Sequence, residues 1–247
     1  MVESAYLPGL RAGLAEQEAH RAEPARFSAL VRITHWLTTL SFIGLLISGF
    51  AILLAHPRLY WGETGGLGGP YVLAFPLPTM KGGPSGWGRS LHFLSSWVCI
   101  LAGLAYVMSG IFSRRFRKEL VPSRADLSVA AMSRVVMNHL RRKQPANEEF
   151  LTYNVLQRLA YLGVIFVCFP LLIWTAFAMS PGLVSIFPGL VTSLGGQETA
   201  RTIHFFVASF VVLFVALHIL LVAVSGFKPR ISAMITGHAN AERSNHE

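Results

Sequence analysis

Nine histidines are spread over 247 residues, and four of them fall inside long apolar runs: His35, His92, His204 and His218. An ionisable side chain in such a run is costly and marks function by default, although one histidine alone can simply bridge two helices through a hydrogen bond. His204 and His218 share one run, fourteen residues apart. Fourteen residues turn a helix through roughly 1400°, nearly four full turns, and advance it about 21 Å, so both imidazoles face one way. That advance is most of a hydrocarbon core of about 30 Å. One helix thus presents an imidazole near each side of a membrane.

The other two histidines complete the sets. His35 opens a helix running outward from the cytoplasm, while His92 and His204 each open a helix running inward. Depth therefore pairs His92 with His204 on the outer side and His35 with His218 on the inner side. Two axial imidazoles per pair suit a six-coordinate haem iron, and helix bundles build such sites from facing side chains. Zinc usually takes three or four protein ligands and fits two isolated pairs poorly.

Arginine precedes histidine by three residues three times: Arg32–His35, Arg89–His92 and Arg201–His204. Residues three apart share a helix face, and guanidinium pairs well with carboxylate, so the three arginines are candidate partners for haem propionates. Arginine reaching to the interface from an apolar helix is the alternative account. It suits Arg32 better than Arg89 and Arg201, which lie on the side that disfavours positive charge. Gly49, fourteen residues after His35, falls at the depth of the outer pair, and Gly103 falls near the inner one. Each either admits a porphyrin edge or allows close helix packing.

Four apolar runs must carry these residues, at about 33–55, 91–112, 159–179 and 203–226, each near the roughly 20 residues that cross a bilayer. Mean hydropathy is +0.50 and 13% of residues are charged, against about 25% for a soluble domain. The expected fold is all-α, an integral membrane four-helix bundle with two haems between its helices. Its domain covers 27–227, with a tail at 1–26 and another at 228–247. The first 26 residues hold no apolar signal core, so the first span is expected to direct insertion.

A net charge of +9 raises the question of nucleic acid, but the charges lie in loops between apolar runs and favour a membrane instead. Lysine and arginine number 17 in the N-terminal segment through Arg32, the C-terminal tail and the 113–158 region, against 4 in the other two loops. By that asymmetry both termini lie in the cytoplasm. The two cysteines, Cys99 and Cys168, form no Cys-x-x-Cys, which disfavours iron–sulfur clusters and covalently attached haem. The loop 56–88 holds nine Gly and five Pro among Tyr60, Trp61, Tyr71, Phe75 and Trp87. It reads as an interfacial loop with aromatic anchors, as a docking surface for an exoplasmic partner, or as both. Residues 127–142 read either as a basic helix lying in the interface or as a solvated linker. His56, before Pro57, reads as a loop residue.

The layout resembles the bacterial cytochrome b561 / nickel–iron hydrogenase-type cytochrome b superfamily, which includes formate dehydrogenase gamma subunits and thiosulfate reductase cytochrome b subunits. The residues that carry the likeness are Arg32-Ile-Thr-His35-Trp36, Arg89-Ser-Leu-His92-Phe93, Ala200-Arg201-Thr-Ile-His204-Phe205 and His218, over roughly 27–227. The segment His56-Pro-Arg-Leu-Tyr-Trp-Gly62 looks most like the thiosulfate reductase branch.

The resemblance implies that the four histidines ligate two haems b in the bacterial inner membrane. It also implies that the chain anchors a larger enzyme, exchanging electrons between the quinone pool and a catalytic subunit of molybdopterin or hydrogenase type, expected on the exoplasmic side. The substrate-converting step would then belong to the partner. In the family the quinone site lies near the cytoplasmic haem, where Arg32 and the segment Tyr153-Asn154-Val-Leu-Gln157 fall. Asn154 and Gln157 either bond a quinone carbonyl or cap the third helix. The alternative implied by the broader superfamily is a stand-alone oxidoreductase acting on a small oxidant such as superoxide.

Overall fold

The computed structural model describes residues 27–63, 70–77, 86–114, 116, 120–122, 155–224 and 226–237. Four of its helices are long and apolar enough to cross a membrane: α1 (Ala29–Ala55), α2 (Trp87–Phe112), α3 (Val155–Ala178) and, after two short helices, α6 (Gln197–Val224). They form a helical bundle, and the chain is a multi-pass membrane protein. Side chains such as Leu40, 70% exposed, and Val224, 78% exposed, require lipid rather than water around them.

The helices begin about four to six residues before the apolar runs that announced them. The reason is that helical hydrogen bonding continues through the polar interface, so Arg32, Arg89 and Arg201 lie inside helices rather than before them. Hydroxyls within the spans satisfy themselves locally. Thr34 donates to the Leu30 carbonyl, Ser41 to Leu37 and Ser209 to Phe205, each one turn back. With no water in the bilayer core, such back-bonding is the available solution.

Helix α3 widens into a π turn over Val164–Cys168. The Phe169 N–H bonds the Val164 carbonyl, five residues back, and Pro170 follows with no N–H to give. A proline inside a helix is accommodated by this kind of local rewinding.

By contacts the chain divides into two compact units, one made of residues up to Trp36 with those from His218 onward, the other of Leu37–Leu217. In the larger unit α1 and α2 approach closely at Gly44, where an added Cβ would collide with the Ser95 hydroxyl. After α1, Arg58–Leu59 (β1) pairs antiparallel with Leu73–Ala74 (β2). Leu59 is 1% exposed, which anchors this small hairpin. Two short helices, α4 (Pro181–Ile186) and α5 (Gly189–Thr192), then lead through Gly195 and Gly196 into α6.

In the smaller unit a further helix, α7 (Phe227–Thr236), follows Gly226, whose φ of +97° turns the chain out of α6. By hydropathy this stretch belongs to the tail 228–247, and its helical structure is a difference from that expectation. Its helix is fastened to the start of α1: Arg32 Nη1 donates to the Ile235 carbonyl at 2.6 Å and Trp36 Nε1 to the Met234 carbonyl at 3.1 Å. The segment 127–142 and the tail 1–26 lie outside the described residues.

Candidate functional site

His92 and His204 sit in the second turns of α2 and α6, and the bundle brings their rings together, with centroids 6.3 Å apart and planes inclined by 59°. A bond from an imidazole nitrogen to a first-row metal is about 2 Å, so two rings on opposite sides of one ion have centroids roughly 6 Å apart. The observed separation matches that arrangement. Among the described residues no three of His, Cys, Asp or Glu cluster as a metal-ligand set, so the donors at this point are two imidazoles.

The surroundings hold each ring from behind. Ser48 Oγ on α1 lies 3.0 Å from His92 Nδ1, and Thr175 Oγ1 on α3 lies 2.9 Å from His204 Nδ1. Both hydroxyl side chains are fully buried. Gly49 sits beside the pair, where a Cβ would stand 3.7 Å from His92 Cε1. Only hydrogen occupies that position, which leaves room next to the ring for a flat group. A Cβ on Gly103 would meet nothing within 4 Å.

The segment His56–Gly62 is bound to the first turns of α6, the helix that carries His204. Thr202 Oγ1 donates to the Tyr60 carbonyl at 2.6 Å, and the Gly62 N–H donates to Thr199 Oγ1 at 2.7 Å. The Gly62 carbonyl accepts from the Glu198 and Thr199 N–H groups, which otherwise would be unpaired at the helix start. Phe75, beyond the hairpin, packs against Phe205, the neighbour of His204, with ring centroids 5.2 Å apart.

Arg201 takes part in the same fastening. Its Nη2 donates to the His56 carbonyl at 2.7 Å and its Nη1 to Glu198 Oε2 at 3.3 Å. The spacing to His204 marks Arg201 for a propionate and discloses neither of these partners, although Glu198, three residues earlier, is a readable helix pair. Arg89 is exposed at the same end. His56, in the loop, titrates below the usual histidine range, first because it is partly buried and then because Arg201 and Arg89 stand near it, with Glu198 opposing.

His35 and His218 belong together to the smaller unit, with Arg32 and α7. The His35 ring meets Trp36 edge-on at 5.5 Å. Among the described residues the buried Arg32 Nε has no hydrogen-bond partner while its Nη1 holds Ile235, so a donor remains there for an anionic group. Gln157 lies in the first turn of α3, half-buried; Asn154 and Tyr153 lie outside the described residues.

A bundle of four membrane helices with a histidine pair poised for one metal ion, each imidazole backed by a buried hydroxyl, defines an integral membrane protein of the cytochrome type. The family profile of prokaryotic cytochrome b561 matches residues 26–237, and the chain belongs to that family. It is 32% identical over 214 residues to the putative protein-methionine-sulfoxide reductase subunit YedZ1 of Azospira oryzae, covering 84% of this chain and 94% of that one. No solved structure matches the chain.

Proposed function

We propose that the chain is a di-haem b-type cytochrome subunit that passes electrons between the quinone pool and a partner oxidoreductase subunit of molybdopterin or hydrogenase type. The observation that carries this reading is the 6.3 Å separation of the His92 and His204 rings inside an apolar bundle. These two residues would hold the outer haem, and His35 with His218 the inner one. A haem so ligated carries one electron at a time.

The chain's own residues do the rest. The apolar helices keep water from the ligands, which tunes the potentials together with the hydrogen bonds behind the rings. The segment His56–Gly62 is bound to the start of α6, and the basic groups Arg89 and Arg201 there, with Arg32 at the other end, are the candidates for the propionates. Arg32 with Asn154 and Gln157 is the candidate quinone region. The excess of Lys and Arg in both tails supports cytoplasmic termini in a bacterial inner membrane, with the partner on the opposite side. The name of the Azospira oryzae relative supports a reductase as that partner, and hence electron flow outward from quinone.

The test is a reduced-minus-oxidised spectrum of the purified chain with haem counted against protein. About two b-type haems per chain are expected from two histidine pairs. His92→Ala and His35→Ala should each remove a different haem. One haem or none, in material made with ample haem, refutes the reading.

A further inference from the structure

We propose that Ser48 and Thr175 are positioning residues that fix both outer histidines as Nδ1–H tautomers and so commit Nε2 of each ring to the metal. This rests on the haem reading above.

The number of protons available fixes the tautomers. Ser48 Oγ lies 2.6 Å from the Gly44 carbonyl, and Thr175 Oγ1 lies 2.8 Å from the Leu171 carbonyl. A carbonyl oxygen only accepts, so at these distances each hydroxyl must donate its single proton to the backbone. Nothing is then left for the imidazole but the hydroxyl's lone pairs. The contacts of 3.0 Å to His92 Nδ1 and 2.9 Å to His204 Nδ1 can be hydrogen bonds only if each Nδ1 carries the proton. A neutral imidazole with Nδ1 protonated has its lone pair on Nε2.

The placement is the same on both sides of the site. Helices α2 and α6 supply the ligands, and α1 and α3 each supply one fully buried hydroxyl already spent on its own helix. The outer pair is therefore held by one group from each of the four helices. An N–H donated behind a ligating imidazole fixes its orientation and makes it a better electron donor, which favours the more highly charged oxidised iron. Losing that bond should raise the reduction potential of the outer haem alone.

The test uses the full chain, purified with haem in lipid nanodiscs, in four forms: wild type, Ser48→Ala, Thr175→Val and Thr175→Ser. The potential of each haem is read by spectroelectrochemical titration, with the outer one identified by its loss in His92→Ala. Outer-shell partners of metal ligands typically change affinity by at least about tenfold. A tenfold swing between oxidised and reduced haem reads as about 59 mV for a one-electron couple. Ser48→Ala and Thr175→Val are expected to raise the outer potential on that order and leave the inner one in place. Thr175→Ser, which keeps the hydroxyl, should match wild type.

If Thr175→Val loses the outer haem entirely, retention in Thr175→Ser supports the role and loss in Thr175→Ser overturns it. An unmoved outer potential in Ser48→Ala and Thr175→Val overturns the inference while the two-haem reading stands. So does a Thr175→Ser shift equal to that of Thr175→Val, since packing rather than the proton would then be responsible. A wild-type chain with no His92-dependent haem overturns the underlying reading instead.

Discussion

Replacing Gly196 with alanine should release the segment His56–Gly62 from the start of α6. Gly196 has φ +122°, a conformation that costs a residue with a side chain roughly 1–3 kcal/mol. Its added Cβ would also collide with the carbonyl carbon and oxygen of Gly62, and these are backbone atoms that cannot swing aside. Gly62 must therefore move. Its carbonyl bonds to the Glu198 and Thr199 N–H groups, at 3.1 and 3.3 Å, then weaken together with its own N–H bond to Thr199. Each such bond contributes a net of about 0.5–1.5 kcal/mol. Strain and lost bonds together come to at least about 2 kcal/mol, which is roughly thirtyfold more opening of the segment at equilibrium. Hydrogen exchange by mass spectrometry on peptides covering 56–62 measures that opening directly. Gly195→Asn is the control: φ there is +79°, which asparagine tolerates, and an added Cβ meets nothing within 4 Å. Exchange in Gly196→Ala that equals either wild type or Gly195→Asn would show that the Gly62–Gly196 contact does not hold the segment in place.

Two further outcomes follow from the same end of the bundle. Gly49→Leu should fill the space beside His92 and lower the haem content at the outer pair while the His35-dependent haem remains, as read by haem quantification in the His35→Ala background and in the wild type. His56 makes the segment His56–Gly62 pH-dependent. Its folded-state pKa lies below the ordinary 6.5, so the unfolded or opened segment binds the proton more readily. The contribution to closure is complete above pH 6.5 and is lost as pH falls from there through the lower folded value. Exchange at 56–62 should therefore rise on acidification below pH 6.5 in the wild type, and less so in His56→Gln; identical pH profiles would remove His56 from the account.

How much of this was legible in the sequence depends on the range of the interaction. The four spans follow from composition, and the shared face of His204 and His218 follows from helix periodicity, both properties of contiguous chain. The pairing of His92 with His204 was also readable, because depth in a bilayer gives a second coordinate that a soluble chain lacks. Hydrogen bonds between distant segments were not readable. Ser48 stands 44 residues from His92, and a hydroxyl in an apolar run looks the same whether it serves helix packing or a ligand. The grip of Thr202 and Arg201 on the carbonyls of Tyr60 and His56 carries no side-chain signature on the accepting side at all, since every residue offers a carbonyl. Helix α7 was missed for a related reason: only ten residues long, it is held by the Arg32 and Trp36 side chains bonding its carbonyls rather than by an apolar run of its own.

The arginines show how one residue type divides between roles once geometry is known. Arg32, Arg89 and Arg201 stand at the same spacing from a histidine, yet Arg201 binds the segment His56–Gly62 through the His56 carbonyl while Arg32 binds α7 through Ile235. A guanidinium has five N–H donors, so holding a backbone carbonyl does not prevent it from also facing a carboxylate. The buried Arg32 Nε, without a partner among the described residues, is such a remaining donor. Arg201 thus ties the helix that carries His204 to the segment His56–Gly62, and Arg32 ties the start of α1 to α7. For His204 two supports are visible, the Thr175 hydroxyl behind the ring and the Arg201–His56 bond at the start of its helix.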